Sequence, residues 1–238
     1  MSPMTQTTQP TALITGASKG LGRALARALS DRGWRLVLDA RSSAALSAIA
    51  AELPAAVAIR GDVGDPAHRE ALAAAVRTGG RLDLLVNNAS DLGPSPLPPL
   101  GRYPLDALRT VYETDVLAPI GLIQLLLQQL RASDGVVLNV SSDAAVEPYA
   151  GWGGYGSAKA ALDHASAVLA VEEPDLRVYA VDPGDMRTDM HQAAFPGEDI
   201  TDRPEPETVV PALLRLLDAR PASGRYRAAE WAATAVSP

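Results

Sequence analysis

The chain has 238 residues, 47% hydrophobic and 21% charged, which is enough to bury the core of one α/β domain. Its formal charge of −7 and its sparse aromatics (three Trp, six Tyr, one Phe) argue against a nucleic-acid partner, which needs a basic face or a stacking platform. With no Cys, and with His68, His164 and His191 far apart, disulfides, cysteine nucleophiles and a metal site are not expected.

Residues 1–10 are polar and lack both a basic n-region and an apolar h-region, so they are expected to be a disordered segment rather than a signal peptide. From Thr11 onward, short apolar strands alternate with helix-length segments. Thr11–Thr15 predicts a strand, followed by a glycine-rich turn and a helix over 21–32. Arg35–Leu38 predicts a second strand, with a helix of small residues over 43–53. Ala56–Arg60 is a third strand and is followed by a helix over 66–78. Leu82–Val86 is a fourth strand, and a long helix over 105–131 leads to a fifth, Gly135–Val140. A helix over 155–172 then precedes a sixth strand, Leu176–Val181, and Ser223–Tyr226 is a candidate seventh. Unbroken apolar strands suit a parallel sheet covered on both faces, and the alternation implies right-handed crossovers. The fold class expected is therefore α/β, a doubly wound parallel sheet in a single domain over 11–238. The longest uncharged apolar run, 116–130, is interrupted by Pro119, Gln124, Gln128 and Gln129, so it reads as a buried amphipathic helix. No membrane partner is expected, and a cytoplasmic location is.

Two segments break the alternation. Leu92–Pro99 is proline-rich, and Asp185–Pro206 carries Pro196, Gly197, Pro204 and Pro206 among acidic residues. Both follow the carboxyl ends of strands, where open α/β sheets bind ligands, and 185–206 is expected to act as a substrate lid.

Thr15-Gly16-Ala17-Ser18-Lys19-Gly20-Leu21-Gly22 falls at the first strand–helix turn. Glycines there let the backbone approach a pyrophosphate, which meets the exposed N–H groups of the helix that follows. With this turn the sequence resembles the short-chain dehydrogenase/reductase family, whose turn reads Thr-Gly-x-x-x-Gly-x-Gly, and further motifs agree in order. Asp62-Val63 resembles the family's adenine contact. Asn87-Asn88-Ala89-Ser90 resembles Asn-Asn-Ala-Gly, with Ser90 replacing the usual glycine. Pro183-Gly184 followed by Thr188 resembles its Pro-Gly-x-x-x-Thr segment. The resemblance covers about 11–226. It implies a Rossmann-type fold and a dinucleotide held by Gly16, Ser18, Lys19, Gly20, Leu21, Gly22, Arg41, Ser42, Asp62, Val63, Asn88, Ala89, Pro183, Gly184 and Thr188, together with Tyr155 and Lys159.

Tyr155-Gly156-Ser157-Ala158-Lys159 sets a phenol and an ammonium four residues apart on one helical face, where the cation favours the ionised phenol. The family places its catalytic serine 13 residues upstream, at Ser142, with Ser141 as the adjacent alternative. The mechanism the resemblance implies is transfer of hydride from NADPH to a ketone or aldehyde carbon. Tyr155 protonates the oxygen, Ser142 holds it, Lys159 binds the ribose and supports the tyrosine, and the reverse reaction oxidises an alcohol. Where the family commonly has an asparagine within the long helix, at a local distortion, this chain has Asp115, the fourth catalytic candidate. Its carboxylate either leaves the relay intact or raises the Lys159 pKa. A non-catalytic dinucleotide sensor on the same fold would lose the Tyr or the Lys, and both are present.

The cofactor's ribose is read just past the second strand, in Leu38-Asp39-Ala40-Arg41-Ser42. An acid there would accept from the 2′-hydroxyl of NAD, whereas Arg accommodates the 2′-phosphate of NADP. In the family's register the discriminating acid falls at Ala40 and the next position is Arg41. With Lys19 in the turn, this favours NADP over NAD and leaves Asp39 solvent-facing or paired with an arginine. An NAD-dependent alcohol dehydrogenase that uses Asp39 is the rival.

Tyr149, Trp152 and Tyr155, with Glu147, would overhang the reacting carbon in the family's geometry, and His191 and Phe195 lie in the lid. The substrate expected is a small molecule, partly apolar and cyclic or aromatic. The apolar faces of the 105–131 helix, Leu126 included, and of the 155–172 helix correspond to subunit interfaces in the family. A homodimer or homotetramer is expected, with Trp231 packing into a neighbouring copy.

Overall fold

The computed structural model describes residues 9–232. Residues 1–8, most of the segment expected to be disordered, lie outside the described residues. Gln9 and Pro10 are tied to residues 33–35: Gln9 Nε2 donates to the Gly33 carbonyl at 2.7 Å, and the Pro10 carbonyl accepts from the Arg35 amide at 2.8 Å.

The elements follow the expected order. They are β1 (Thr11–Ile14), α1 (Gly20–Asp31), β2 (Arg35–Ala40), α2 (Ser43–Glu52), β3 (Ala56–Arg60), α3 (Pro66–Gly79) and β4 (Leu84–Asn87). Then come α4 (Leu105–Tyr112), a π-helical turn (Glu113–Leu117), α5 (Ala118–Ala132), β5 (Val136–Val140), α6 (Gly153–Glu172), β6 (Arg177–Asp182), α7 (Asp189–Ala194), α8 (Pro206–Ala219) and β7 (Gly224–Arg227). The long helix predicted over 105–131 is thus two helices joined through the π turn. α8 adds to the predicted elements, because the prolines before it and Pro211 within it obscure its periodicity.

All strand pairs are parallel, in the order β3-β2-β1-β4-β5-β6-β7. The strand order reverses between β1 and β4, and in a doubly wound sheet the crevice at that point takes the ligand. Alternate side chains feed two cores. Ile14, Leu36 and Leu38 join Leu25, Ile49 and Leu213 on one face, and Leu13, Val37 and Leu85 join Leu72, Leu122 and Leu126 on the other. Leu126 is fully buried in this second core, so it cannot serve a subunit interface as expected. Trp231 likewise packs within its own chain. Its ring meets Tyr226 edge-on at 6.0 Å, and its carbonyl accepts from Arg215 Nε at 2.6 Å.

Candidate active site

The first βα turn is built around two glycines in the left-handed region, Gly16 (φ +64°) and Gly20 (φ +55°). A Cβ on Gly16 would lie 2.9 Å from the Ala89 Cα, so this position needs glycine for its conformation and for its close approach to the segment after β4. Thr15 and Asn88 fasten the two together. The Asn88 and Ala89 amides both donate to Thr15 Oγ1 at 3.0 Å, and Asn88 Nδ2 donates to the Thr15 carbonyl at 2.8 Å.

A cleft of about 1100 Å³ runs from this turn along the carboxyl ends of the strands. Sixteen of the sequence-predicted cofactor residues line it; Gly22 does not. A Cβ on Gly22 would stand 2.5 Å from Asn88 Nδ2, so this glycine serves close packing behind the turn. The cleft fits a dinucleotide on three grounds: an open glycine cradle at one end, the exposed Arg41 and Ser42 at its rim, and Gly184 (φ +78°) with free space where a Cβ would stand.

Asp39 departs from expectation. It is buried rather than solvent-facing, and its partners are the Gly16 amide, donating to Oδ1 at 2.8 Å, and His68 Nε2, 3.0 Å from Oδ2. The physical reason is strand alternation. Asp39 shares the face of Val37, toward α3 and His68, while Ala40 shares the face of Leu38. Lys19 pairs with Asp189 of the 185–206 segment at 2.8 Å, both side chains exposed.

At the other end of the cleft stand Ser142, Tyr155 and Lys159. Ser142 follows β5, and Tyr155 stands in the first turn of α6. Lys159 Nζ donates to the Val140 carbonyl at 2.9 Å and lies 5.4 Å from the centre of the Tyr155 ring. The Ser142 hydroxyl donates to Asp143 Oδ1 at 3.0 Å and accepts the Ala144 amide at 3.1 Å. Burial pushes the Tyr155 phenol well above its ordinary range. The Asp115 carboxylate adds to this and the Ser90 and Ser142 hydroxyls oppose it. Desolvation, rather than the expected lowering by Lys159, sets the direction of the shift.

Asp115 sits in the π turn, fully buried, behind the cleft rather than on its wall. Such turns recur at functional sites because they rotate one residue out of helical register. Its Oδ1 accepts the Asp91 amide at 2.8 Å. Burial raises its carboxyl pKa, and the Lys159 charge pulls the other way.

Three supporting residues, Asn139, Ser166 and Arg225, were invisible in the sequence. Asn87, the first residue of the Asn-Asn-Ala-Ser run, turns inward and donates to Asn139 Oδ1 at 2.7 Å. Asn139 Nδ2 in turn donates to Ser166 Oγ at 2.7 Å, tying β4 and β5 to α6. From β7, Arg225 donates to the Ser142 carbonyl at 2.8 Å and to Asp163 at 2.9 Å. Over the reacting end, Trp152 meets Tyr155 edge-on at 5.7 Å and Phe195 at 6.0 Å, while Tyr149 instead turns to Asp143 Oδ2 at 3.1 Å. The two interrupting segments touch where Ser95 Oγ donates to the Ala193 carbonyl at 2.7 Å.

The family model described as short chain dehydrogenase matches residues 10–199. The chain belongs to that family. Among curated relatives of this short-chain dehydrogenase, sepiapterin reductase of Xenopus tropicalis is 37% identical over 203 residues, covering 76% of each chain. Among solved structures, the short chain dehydrogenase from Shigella flexneri is 30% identical with a TM-score of 0.86, covering 92% of this chain and 90% of that one. The alcohol dehydrogenase of the archaeon Thermococcus sibiricus, solved with 5-hydroxy-NADP, is 27% identical with a TM-score of 0.83, covering 92% and 95%. The protein is accordingly an NAD(P)-dependent oxidoreductase with a Rossmann-type sheet that binds a nicotinamide dinucleotide.

Proposed function

We propose that this short-chain dehydrogenase interconverts a ketone or aldehyde with its alcohol, prefers NADP(H), and uses Tyr155 as the acid and base. The observation that carries the reading is the convergence of Tyr155, Ser142 and Lys159 at one end of a cleft whose other end is the glycine turn. When bound, the dinucleotide supplies or takes the hydride. Ser142 exchanges its bond to Asp143 for one to the substrate oxygen and holds that oxygen beside the phenol. Tyr155 gives that oxygen a proton in reduction and takes one in oxidation. Lys159 holds the ribose and supplies positive charge beside the Tyr155 ring.

The preference for NADP(H) is supported by Asp39. Both its carboxylate oxygens are engaged, by Gly16 and His68, while the Arg41 guanidinium stands exposed at the cleft rim. A reductase relative and a neighbour solved with an NADP derivative agree with this direction. The substrate class is supported by Leu92, Ala144, Trp152 and Met190, which pack beside Tyr155 and form an apolar wall for a cyclic or aromatic carbonyl compound. For assembly, the exposed apolar side chains of Leu117, at 51%, and Val171, at 81%, are better placed than Leu126 to meet a second copy.

The test is a panel of carbonyls and alcohols followed at the nicotinamide absorbance with NADPH and with NADH, run beside Tyr155→Phe. Turnover by the parent that falls by at least about 10²-fold in the Phe variant supports the reading. A Phe variant with half the parental rate overturns it.

A further inference from the structure

The buried imidazole of His68 takes no part in the reaction read above, and it stands behind the cleft rather than on its wall. It nevertheless meets the nucleotide half of the cleft in two places. Its Nε2 lies 3.0 Å from Asp39 Oδ2, and Asp39 holds two consecutive amides of the glycine turn. The Gly16 amide donates to Asp39 Oδ1 at 2.8 Å, and the Ala17 amide to the Asp39 main-chain carbonyl at 2.9 Å. The Nδ1 edge of the ring lies against Gly61, the residue that follows β3. A Cβ on Gly61 would overlap the imidazole, so glycine is what admits the ring. Gly16 and Gly61 both line the cleft, as do Asp62 and Val63 beyond Gly61.

The ring is held from its own side as well. His68 stands in the first turn of α3, which is capped by Asp65 Oδ1 accepting the Ala67 amide at 2.9 Å. The loop before the helix is closed by Asp62 Oδ1, which accepts the Gly64 amide at 2.9 Å. Arg69 Nη1 donates to the Val63 and Gly64 carbonyls at 2.6 and 3.0 Å. A buried carboxylate needs its hydrogen bonds. Without the His68 N–H, Asp39 Oδ2 loses its donor, and a carboxylate that turns to recover one lets go of Gly16. Loosening matters there because a turn that must be ordered at the moment of binding costs affinity.

We propose that His68 is a positioning residue for the dinucleotide: from behind the cleft it locks Asp39 onto the glycine turn and, through Gly61, fixes the Asp62-Val63 side against that turn. The pyrophosphate and adenosine are common to NAD and NADP, so His68 sets affinity for both alike. The inference depends neither on the preference for NADP(H) nor on the role of Tyr155.

The experiment uses the full chain. Dissociation constants for NADPH and NADH come from fluorescence titration, protection of the Gly16 amide from hydrogen exchange by NMR without cofactor, and folding from thermal melts. His68→Leu fills the ring's space without its N–H. It is expected to raise both dissociation constants about tenfold, the loss of one hydrogen bond to a charged group, and to leave their ratio unchanged. Exchange at Gly16 should quicken while amides of β4 and β5 stay protected. His68→Gln, which returns an N–H donor to Asp39, should restore affinity and protection, as a space-filling role alone would not. Gly61→Ala should weaken binding in the same way, and add nothing further once His68→Ala has removed the ring. A folded His68→Leu protein with parental affinities and a protected Gly16 amide overturns the proposal. So does a Gln variant no better than Leu. Should His68→Leu not fold, Gly61→Ala decides: parental affinity in that variant, or a cost that multiplies with His68→Ala, overturns it too.

Discussion

Asp39 Oδ2 and His68 Nε2 lie 3.0 Å apart in a buried pair that joins the end of β2 to α3, while Asp39 Oδ1 holds the Gly16 amide. A carboxylate accepts and does not donate, so the ring nitrogen facing it carries the proton. With both oxygens occupied, this acid braces the nucleotide turn.

The proposed preference for NADP(H) is tested on that arrangement. Ala40→Asp with Arg41→Ala is expected to swing the ratio of kcat/KM for NADPH over NADH by at least tenfold toward NADH. On the proposed reading, removing the Arg41 guanidinium would delete a charge-assisted hydrogen bond to the 2′-phosphate, of a kind worth about 1.5–3 kcal/mol, and about 1.4 kcal/mol is tenfold. Asp39→Ala should weaken both cofactors alike by loosening Gly16. Parental enzyme that prefers NADH, with Asp39→Ala abolishing NADH use alone, would reverse the assignment.

With Tyr155 as the proposed acid and base, its raised pKa would give the two directions opposite pH dependence. Reduction needs the protonated phenol, which is present throughout the neutral range and lost only in strong alkali. Oxidation needs the phenolate, so its kcat should climb steadily as pH rises above neutrality. Initial rates in both directions across the pH range check this, and an oxidation rate flat between neutral and alkaline pH would contradict it.

Arg225 reaches the Ser142 carbonyl from β7, the last strand of the sheet. Arg225→Met is expected to lower kcat/KM about tenfold, from loss of a hydrogen bond to a charged donor, and to leave NADPH affinity unchanged. Unaltered kcat/KM in a folded variant would show that Ser142 is held without it.

Assembly is read by sedimentation. Val171→Glu and Leu117→Glu place charge on exposed apolar positions and should shift the protein toward smaller species without unfolding it. Leu126→Glu, by contrast, should unfold the chain, since burying an unpaired carboxylate in the core is severely unfavourable. Parental mass in both surface variants would put the interface elsewhere.

The sheet, its order of elements and the two ends of the cleft were legible in the sequence, because strand hydrophobicity, glycine turns and Tyr-x-x-x-Lys spacing are local patterns. The residues from Gly16 to Lys159 that line the cleft needed only correct order along a doubly wound sheet to meet at the strands' carboxyl ends. What the tertiary structure decided are relationships with no local signature. Asp39 meets His68 because strand alternation turns it toward α3, and Arg225 supports Ser142 because β7 lies beside β6. Leu126 belongs to the core because the face that carries it packs with α3 against the sheet. Asp115 takes the Asp91 amide because the π turn aims its carboxylate at the segment that leaves β4. Each of these is a meeting of chain-distant groups, and its existence depends on which face of an element points inward, a fact that packing settles and spacing along the chain does not.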